Sequence, residues 1–203
     1  MHQYSRTHNL PSDPLLHSSC ALLSPAANTP VCTTELAQVA KLKDAWAARN
    51  TVVLGLAVDS RVKNTAWIDD IVALGGAPVD FPIVCDEDYA VSKLYSMVNQ
   101  DHVIDGMPVT ARSVFFIGPD RKIKATLTYP APTGRNFNEL LRVLDALQLT
   151  IQHQVATPAN WTSGEKVVVL PTIPTEQAKE IFAKGGVDEF RPYLRFTADP
   201  SKV

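Results

Sequence analysis

The run Thr51–Ala57 constrains the fold more than any other stretch of the chain. Its seven residues, TVVLGLA, are almost all apolar and rich in β-branched side chains, a pattern typical of a parallel strand that is buried on both faces. Helical spacing precedes it from Cys32 to about Asn50. A second helix is predicted after Asp59-Ser60, which can cap it, and ends at Gly75-Gly76. A buried strand between two helices predicts an α/β fold.

The rest of the chain continues this alternation. Phe81–Val84 is a short strand, and Pro82 within it favours an edge position. Asn99–Asp105 is predicted as a polar loop. Ser113–Ile117 and Ile123–Tyr129 flank the turn Gly118–Arg121 and predict an antiparallel hairpin. A helix capped by Asn136 follows, so the fold class is an α/β mixed sheet flanked by helices.

Three regions differ in composition. Residues 1–24 hold three of the five histidines and little periodicity, and they are predicted to be a disordered leader that ends in a short strand, Cys20–Leu23. Residues 25–148 form the main domain. Residues 149–203 form a small C-terminal extension of short strands, turns and one helix, which we expect to be too small for a core of its own. We therefore expect the extension to pack on the main domain or on a second copy of the chain.

Composition and charge exclude several classes of function. The 203 residues have 45% hydrophobic and 20% charged residues and a formal net charge of −2, which gives no reason to expect a nucleic acid or an acidic membrane surface as partner. No apolar run approaches the roughly 18 residues of a membrane span. Three cysteines without CxxC or zinc spacing predict neither a disulfide framework nor a metal site, and suit a reducing compartment.

Cys32 is the strongest candidate for chemistry. It opens the helix before Thr51, directly after the Thr29-Pro30 turn, and Thr33 or Thr34 is expected to cap the first turn. Free backbone N–H groups and the positive end of the helix dipole both favour a thiolate, the nucleophilic form of cysteine. The alternative is that Cys32 is an inert, buried small side chain, as most free cysteines are.

Arg112 and Thr29 are the candidate partners of Cys32. Arg112 begins the strand of the hairpin after the segment Gly106-Met-Pro, and an arginine there could hold an oxyanion because its guanidinium stays protonated. Thr29 carries a hydroxyl that could donate to a bound oxygen or to sulfur. The alternatives are a solvated arginine and a threonine that only stabilises its turn. Cys85 is interpreted as a strand-end residue, and Cys20 as a buried one.

Two stretches together carry a family resemblance. Thr29-Pro-Val-Cys-Thr-Thr-Glu-Leu36 resembles the active-site motif of the peroxiredoxins. Gly106-Met-Pro-Val-Thr-Ala-Arg112 with Phe115–Asp120 resembles the one-cysteine group of that family, and later landmarks such as Thr133–Phe137 and Val169–Pro174 follow in the same order. The resemblance runs from about Pro25 to the C-terminus.

The resemblance implies a thioredoxin-like fold and a thiol peroxidase that reduces hydrogen peroxide and organic hydroperoxides. By motif position it implies Cys32 as the peroxidatic cysteine, Thr29 as the hydroxyl that orients the peroxide and Arg112 as the activating guanidinium. It implies no cofactor, recycling by an external thiol such as glutathione or by a redox protein, and a homodimer served by the C-terminal extension. We expect a cytoplasmic location, with the mitochondrion as the alternative.

One departure from the family motivates a competing function. Where the family has His, Asp and Phe before its Thr-Pro, this chain has Ser24, Ala27 and Asn28. These replacements alter the loop that should hold the cysteine. The alternative hypothesis is therefore a catalytically weakened thioredoxin-like scaffold, or a chaperone-type dimer.

Overall fold

A computed structural model describes residues 18–23, 26–104 and 107–203 of the chain. The chain divides into two compact units, Met1–Arg135 and Asn136–Val203, and each is described by itself.

The first unit alternates strands and helices as predicted. Its elements are β1 (Ser18–Leu23), α1 (Pro30–Lys41), α2 (Lys43–Ala47), β2 (Thr51–Ala57), α3 (Arg61–Gly75), β3 (Ile83–Cys85), α4 (Ala90–Leu94), β4 (Val98–Ile104), β5 (Met107–Thr110), β6 (Arg112–Ile117) and β7 (Ile123–Tyr129).

Five of these strands form one mixed sheet in the order β3-β2-β1-β6-β7. β2 is parallel to both of its neighbours, whereas β1–β6 and β6–β7 are antiparallel. The mixed sheet, the β6–β7 hairpin and the edge position of β3 are therefore confirmed. The short strand predicted at the end of the leader is also confirmed, and as β1 it lies in the centre of the sheet. Residues 1–17 and Ser24 of the predicted leader lie outside the described residues.

The start of α1 differs from the prediction. Its N-cap is Thr29, with φ −108° and ψ 142°, and Pro30 is the first helical residue. Thr33 and Thr34 lie inside the first turn, where their hydroxyls donate back to the carbonyls of Thr29 and Val31. The expectation of a cap at Thr33 or Thr34 is wrong because proline is favoured at the first helical position, where its missing N–H costs no hydrogen bond.

The helix after Cys32 is also not continuous to Asn50. Leu42, with φ −91° and ψ 15°, leaves the helical region and separates α1 from α2. The predictions for α3 are confirmed: the Ser60 hydroxyl accepts from Lys63 N, and Gly76 ends the helix in the left-handed region at φ 66°.

The predicted polar loop at Asn99–Asp105 is wrong for most of its length, because β4 covers Val98–Ile104 and pairs with β5. Backbone pairing within this two-stranded sheet overrides the low strand preference of Asn and Asp. Residues 105 and 106, between the two strands, lie outside the described part.

The second unit has its own core. It contains α5 (Phe137–Gln152), β8 (Val155–Ala156), β9 (Val167–Val169), α6 (Thr175–Ile181), β10 (Asp188–Arg191) and β11 (Leu194–Thr197), with an antiparallel sheet in the order β10-β11-β9-β8. The predicted cap of α5 is confirmed, since Asn136 Oδ1 accepts from Glu139 N.

The expectation that the C-terminal extension lacks a core is wrong. A cluster of buried apolar side chains lies entirely between residues 149 and 182: Leu149, Val155, Trp161, Val167, Val169, Ile173, Ala178 and Phe182. Trp161 belongs to this core, and its buried indole N–H has a hydrogen-bond partner because it donates to the carbonyl of Glu165. The predicted boundary between residues 148 and 149 falls within α5, and the chain divides into its two compact units after Arg135.

Within the described residues, no helix combines the length and apolar character that crossing a bilayer requires.

Asp86 gives a test of the fold at the start of α4. Its buried carboxylate accepts hydrogen bonds from Val91 N, Ser92 N and the Ser92 hydroxyl. Burial alone would raise the pKa of Asp86, but these hydrogen bonds outweigh it and hold the pKa below its usual value. We expect Asp86→Asn to lower the free energy of unfolding by about 1–3 kcal/mol at pH 7, because an amide NH₂ then faces backbone donors.

Urea unfolding of both proteins between pH 7 and pH 3 measures this effect. A lowered pKa in the folded state stabilises the protein fully above the unfolded value of about 4, and this contribution declines as the pH falls below it. The difference between wild type and Asp86→Asn should therefore shrink in acid. Glu87→Gln, which removes an exposed charge next in sequence, is the control; an equal loss in both variants contradicts the assignment.

Candidate active site

Cys32 lies in the first turn of α1, as the third helical residue, and its side chain is fully buried. The first turn of any helix carries backbone N–H groups without intrahelical partners, and these favour negative charge. The Thr29-Pro30 turn fixes where the helix begins and thus which residue occupies this position.

Arg112 reaches the same point from the sheet. It is the first residue of β6 and is only 4% exposed. Its Nη1 donates to Cys32 Sγ at 3.2 Å, and its Nε donates to the carbonyl of Ala131 at 2.5 Å. The contact with Ala131 holds the planar guanidinium in one orientation, so that a fixed donor points at the sulfur.

Glu35 connects this pair to a second arginine. Its carboxylate accepts from Arg112 Nη1 at 2.8 Å, and from Arg135 Nε and Nη2 at 2.9 and 2.7 Å. The backbone N–H of Arg135 also donates to Glu35. All three charged side chains are buried. One carboxylate thus holds two guanidinium groups, and one of these, Arg112, contacts Cys32.

Thr29 occupies the N-cap position, and its hydroxyl donates to the carbonyl of Ala26 at 2.9 Å. The Thr29 carbonyl accepts from both the backbone N–H and the hydroxyl of Thr33. The Thr33 oxygen in turn accepts from the indole N–H of Trp67 on α3 at 2.8 Å. The start of α1 is therefore tied to α3 as well as to the sheet.

The two other cysteines are less informative. Cys85 is the last residue of β3, which confirms its interpretation as a strand-end residue. It is half-buried, and its sulfur accepts from Asn64 Nδ2 at 3.2 Å. The side chain of Cys20 is not among the described ones. In the described part of the chain, no group of three or more His, Cys, Asp or Glu side chains is arranged to hold a metal ion.

Comparisons with known proteins agree with this geometry. Residues 20–126 match the AhpC/TSA family, and residues 146–185 match the C-terminal domain of 1-Cys peroxiredoxin. Peroxiredoxin-6 of Rattus norvegicus is 48% identical over 181 residues, which cover 85% of this chain and 81% of the rat protein. The 1-Cys peroxiredoxin of Dictyostelium discoideum is 44% identical over 176 residues, with 86% of this chain and 70% of that protein covered.

The chain belongs to the one-cysteine peroxiredoxins.

Solved structures of this family show the same fold. A cysteine-to-serine mutant of peroxiredoxin 6 from Arenicola marina has a TM-score of 0.86 and 39% identity, and the match covers 91% of this chain and 86% of that one. The yeast mitochondrial 1-Cys peroxiredoxin has a TM-score of 0.84 and 40% identity, with 91% and 88% covered. The fold is therefore the thioredoxin-like fold of the peroxiredoxins with a C-terminal sheet extension, as the sequence predicted. Like its relatives, the chain is a thiol peroxidase.

Of the three predicted site residues of this peroxiredoxin, the structure brings Cys32 and Arg112 into direct contact. Thr29 is the N-cap of the helix that carries Cys32, and its hydroxyl donates to the carbonyl of Ala26. The sequence interpretation missed Glu35 and Arg135. Glu35 enters the sequence interpretation only as part of the motif Thr29–Leu36, although its position three residues after Cys32 places both on one helix face. Arg135 was noted only within the landmark Thr133–Phe137.

The buried charges of this peroxiredoxin site predict a large effect on stability. Glu35→Ala leaves Arg112 and Arg135 buried without their carboxylate, and such a broken buried pair costs about 3–5 kcal/mol. We expect urea unfolding monitored by circular dichroism to show a loss of that size. Glu176→Ala, which breaks the exposed pair with Lys179, is the matched control and should cost at most about 1 kcal/mol. Losses of the same size in both variants would contradict a stabilising role for the buried network.

Proposed function

We propose that Cys32 is the peroxidatic cysteine and that it reduces hydrogen peroxide and organic hydroperoxides. Its thiolate attacks the terminal peroxide oxygen. A sulfur–oxygen bond forms as the O–O bond breaks, and the displaced oxygen takes a proton and leaves as water or an alcohol. The sulfur is oxidised to sulfenic acid while the peroxide is reduced. The single observation that carries this proposal is the contact between Arg112 Nη1 and Cys32 Sγ at 3.2 Å.

The role proposed for Arg112 is electrostatic. The guanidinium of Arg112 contacts Cys32 Sγ directly, and a negative charge on the sulfur would be attracted to it at this distance. During the reaction, negative charge moves from sulfur to the departing oxygen. A guanidinium held by Ala131 and Glu35 is already oriented to stabilise that charge.

The role proposed for Thr29 is to orient the peroxide. A hydroxyl has one donor and two acceptor lone pairs. Its donor is directed at the Ala26 carbonyl, so its oxygen keeps acceptor capacity for the O–H of a hydroperoxide. An accepted hydrogen bond from the substrate would align the O–O bond with the sulfur.

Recycling is proposed to use a thiol from outside the chain, since the described contacts place the Cys85 sulfur against Asn64 and not against Cys32. We propose a small thiol such as glutathione. Its thiolate attacks the sulfenic sulfur, a mixed disulfide forms, and the hydroxyl leaves as water; a second thiol then restores Cys32 and departs in a disulfide. The structural study of the yeast relative concerns thiol resolution through glutathione and thioredoxin systems, which supports both a small thiol and a redox protein as reductants.

Peroxide consumption by cysteine variants tests the proposed catalytic residue. We expect Cys32→Ser to abolish turnover with glutathione, because serine cannot form a sulfenic acid. Cys85→Ser should retain most of it, since its sulfur contacts only a structural asparagine in the described network. After stoichiometric peroxide, intact-mass measurement should show one added oxygen, about 16 Da, that maps to Cys32.

The same measurement distinguishes the role of Arg112. Arg112→Ala should slow the oxidation of Cys32 by about 100-fold or more, in line with the loss of one oriented donor at a developing charge, while still yielding one oxygen per chain. Loss of turnover in both cysteine variants would overturn the one-cysteine mechanism. A wild-type Cys32 that reacts no faster than an ordinary free thiol would favour the scaffold or chaperone alternative.

A homodimer and a cytoplasmic location complete the proposal. The C-terminal β10–β11 hairpin exposes 64% of Phe190 and 71% of Tyr193, and β10 is an edge strand. Exposed aromatic side chains beside an edge strand suit an interface with a second copy of this chain. The mitochondrion stays the alternative location.

Light scattering after size-exclusion chromatography tests the dimer. We expect the wild type to have twice the mass of one chain, and the double variant Phe190→Ser/Tyr193→Ser to shift towards the monomer at micromolar concentration. Val62→Ser, which removes an apolar side chain that is 80% exposed on α3, is the control. A wild-type monomer, or an unchanged dimer in the double variant, contradicts an interface at this hairpin.

A further inference from the structure

The cysteine loop, residues 26–29, determines where α1 begins, and its conformation needs support. Asn28 has φ 56°, in the left-handed region that only glycine and, to a lesser degree, Asn and Asp adopt readily. Thr29 then returns to extended backbone before the helix. Two replaced positions of the family motif, Ala27 and Asn28, lie in this loop, and an alanine side chain offers no hydrogen bond to hold it.

Asp59 supplies a support from outside the loop. Its Oδ2 accepts from the backbone N–H of Ala27 at 2.6 Å, across 32 positions of sequence. A hydrogen bond to a carboxylate is shorter and roughly twice as strong as one between neutral groups. The side chain of Asp59 is only 12% exposed, so water competes poorly for it.

Asp59 is itself firmly placed. It follows β2 and precedes Ser60, the N-cap of α3. Its backbone carbonyl accepts from Asn64 Nδ2 at 3.0 Å, and its Oδ1 accepts from Lys63 Nζ at 3.3 Å. The cysteine loop is therefore hydrogen-bonded to the junction between a sheet strand and a helix.

Because Cys32 is buried, the hydrogen bond between Ala27 and Asp59 bears on the access of reactants to its sulfur. With the sulfur fully buried, the two steps of the proposed cycle make opposite demands. Reaction with a peroxide uses the closed arrangement, in which Arg112 contacts the sulfur. Reaction with a thiol as large as glutathione needs the sulfenic acid to become exposed, which requires local opening of the loop and of the first turn of α1.

We propose that Asp59 is a positioning residue that holds the cysteine loop closed through Ala27. This inference rests on the proposed peroxidase cycle and adds to it a residue that touches neither substrate nor sulfur. By stabilising the closed arrangement, Asp59 speeds the oxidation of Cys32 and slows its reduction. Weakening the contact should therefore change the two half-reactions in opposite directions, whereas a general loss of structure would impair both.

The experiment compares Asp59→Ala, Asp59→Asn and the control Asp70→Ala, which removes an exposed carboxylate of α3. Stopped-flow kinetics give the rate of oxidation by hydrogen peroxide, and then the rate at which glutathione reduces the preformed sulfenic acid. Independently, the reduced protein is labelled with a polymer-linked maleimide, and the label on Cys32 is quantified by peptide mapping.

For Asp59→Ala we expect oxidation about tenfold slower, and both reduction by glutathione and labelling of Cys32 about tenfold faster, as for loss of a hydrogen bond to a charged group. Asp59→Asn keeps an oxygen acceptor and should lie between Asp59→Ala and the wild type. Asp70→Ala should match the wild type. The unfolding midpoint of each variant is measured in parallel, and Asp59→Asn carries the test where Asp59→Ala is poorly folded.

Several results would overturn the inference: unchanged labelling of Cys32 in both Asp59 variants, a parallel fall in both half-reactions, or equal effects in Asp70→Ala. Maleimide labelling does not depend on peroxidase activity. A wild type that fails to reduce peroxide would therefore refute the proposed function, while the labelling rates would still decide whether Asp59 closes the loop.

Discussion

The buried carboxylate of Glu35 is the interaction on which the site depends. Moving two guanidinium groups out of water costs several kcal/mol each unless their charge and their donors are satisfied. Glu35 meets this requirement with both oxygens: Oε1 accepts from the backbone N–H and Nε of Arg135, and Oε2 accepts from Arg135 Nη2 and Arg112 Nη1. One side chain of α1 thus joins the helix to β6 and to the end of the first unit.

The same network holds a guanidinium group against the sulfur without requiring the sulfur itself to order the Arg112 side chain. Arg112 Nη1 is shared between the Glu35 carboxylate and Cys32 Sγ. The carboxylate fixes the guanidinium plane, and the shared nitrogen is then held near the sulfur. A lone arginine at the same place would have to be ordered by the sulfur itself, with the entropy loss that ordering a long side chain entails.

Packing on the other side of α1 complements the ionic network. The backbone of Gly75 on α3 lies so close to α1 that a Cβ at position 75 would be 3.2 Å from the Ala37 side chain. Trp67, fully buried, fills the space beside the first turn and donates to Thr33. α1 is therefore held against α3 by a close contact at Ala37 and, near its start, by the hydrogen bond at Thr33.

The local features of this site could be predicted from the sequence, and the long-range ones could not. A helix that begins close to Cys32 and a strand that begins at Arg112 follow from neighbouring residues. The bond between Glu35 and Arg135 joins residues 100 positions apart, and no local pattern specifies such a pair. β1 was assigned to a divergent leader because its neighbours in sequence are unusual, although its pairing places it in the centre of the sheet. The peroxiredoxin motifs point to Cys32 and Arg112, which the structure brings into contact, but they do not reveal that Glu35 binds Arg112.

The complete burial of Cys32 makes the residues that enclose it as important as those that contact its sulfur. The network around Arg112 gains strength from the exclusion of water, since charges interact more strongly in a medium of low dielectric constant. The same exclusion keeps a thiol reductant from the sulfur. A buried cysteine that must also react with a thiol therefore needs surroundings that are stable but can open locally. The ionic network of Glu35 is too costly to open, because it would expose or strand three charges. The cysteine loop, by contrast, carries no charged side chain and is joined to Asp59 by one hydrogen bond, at Ala27, so opening the enclosure there separates no ion pair.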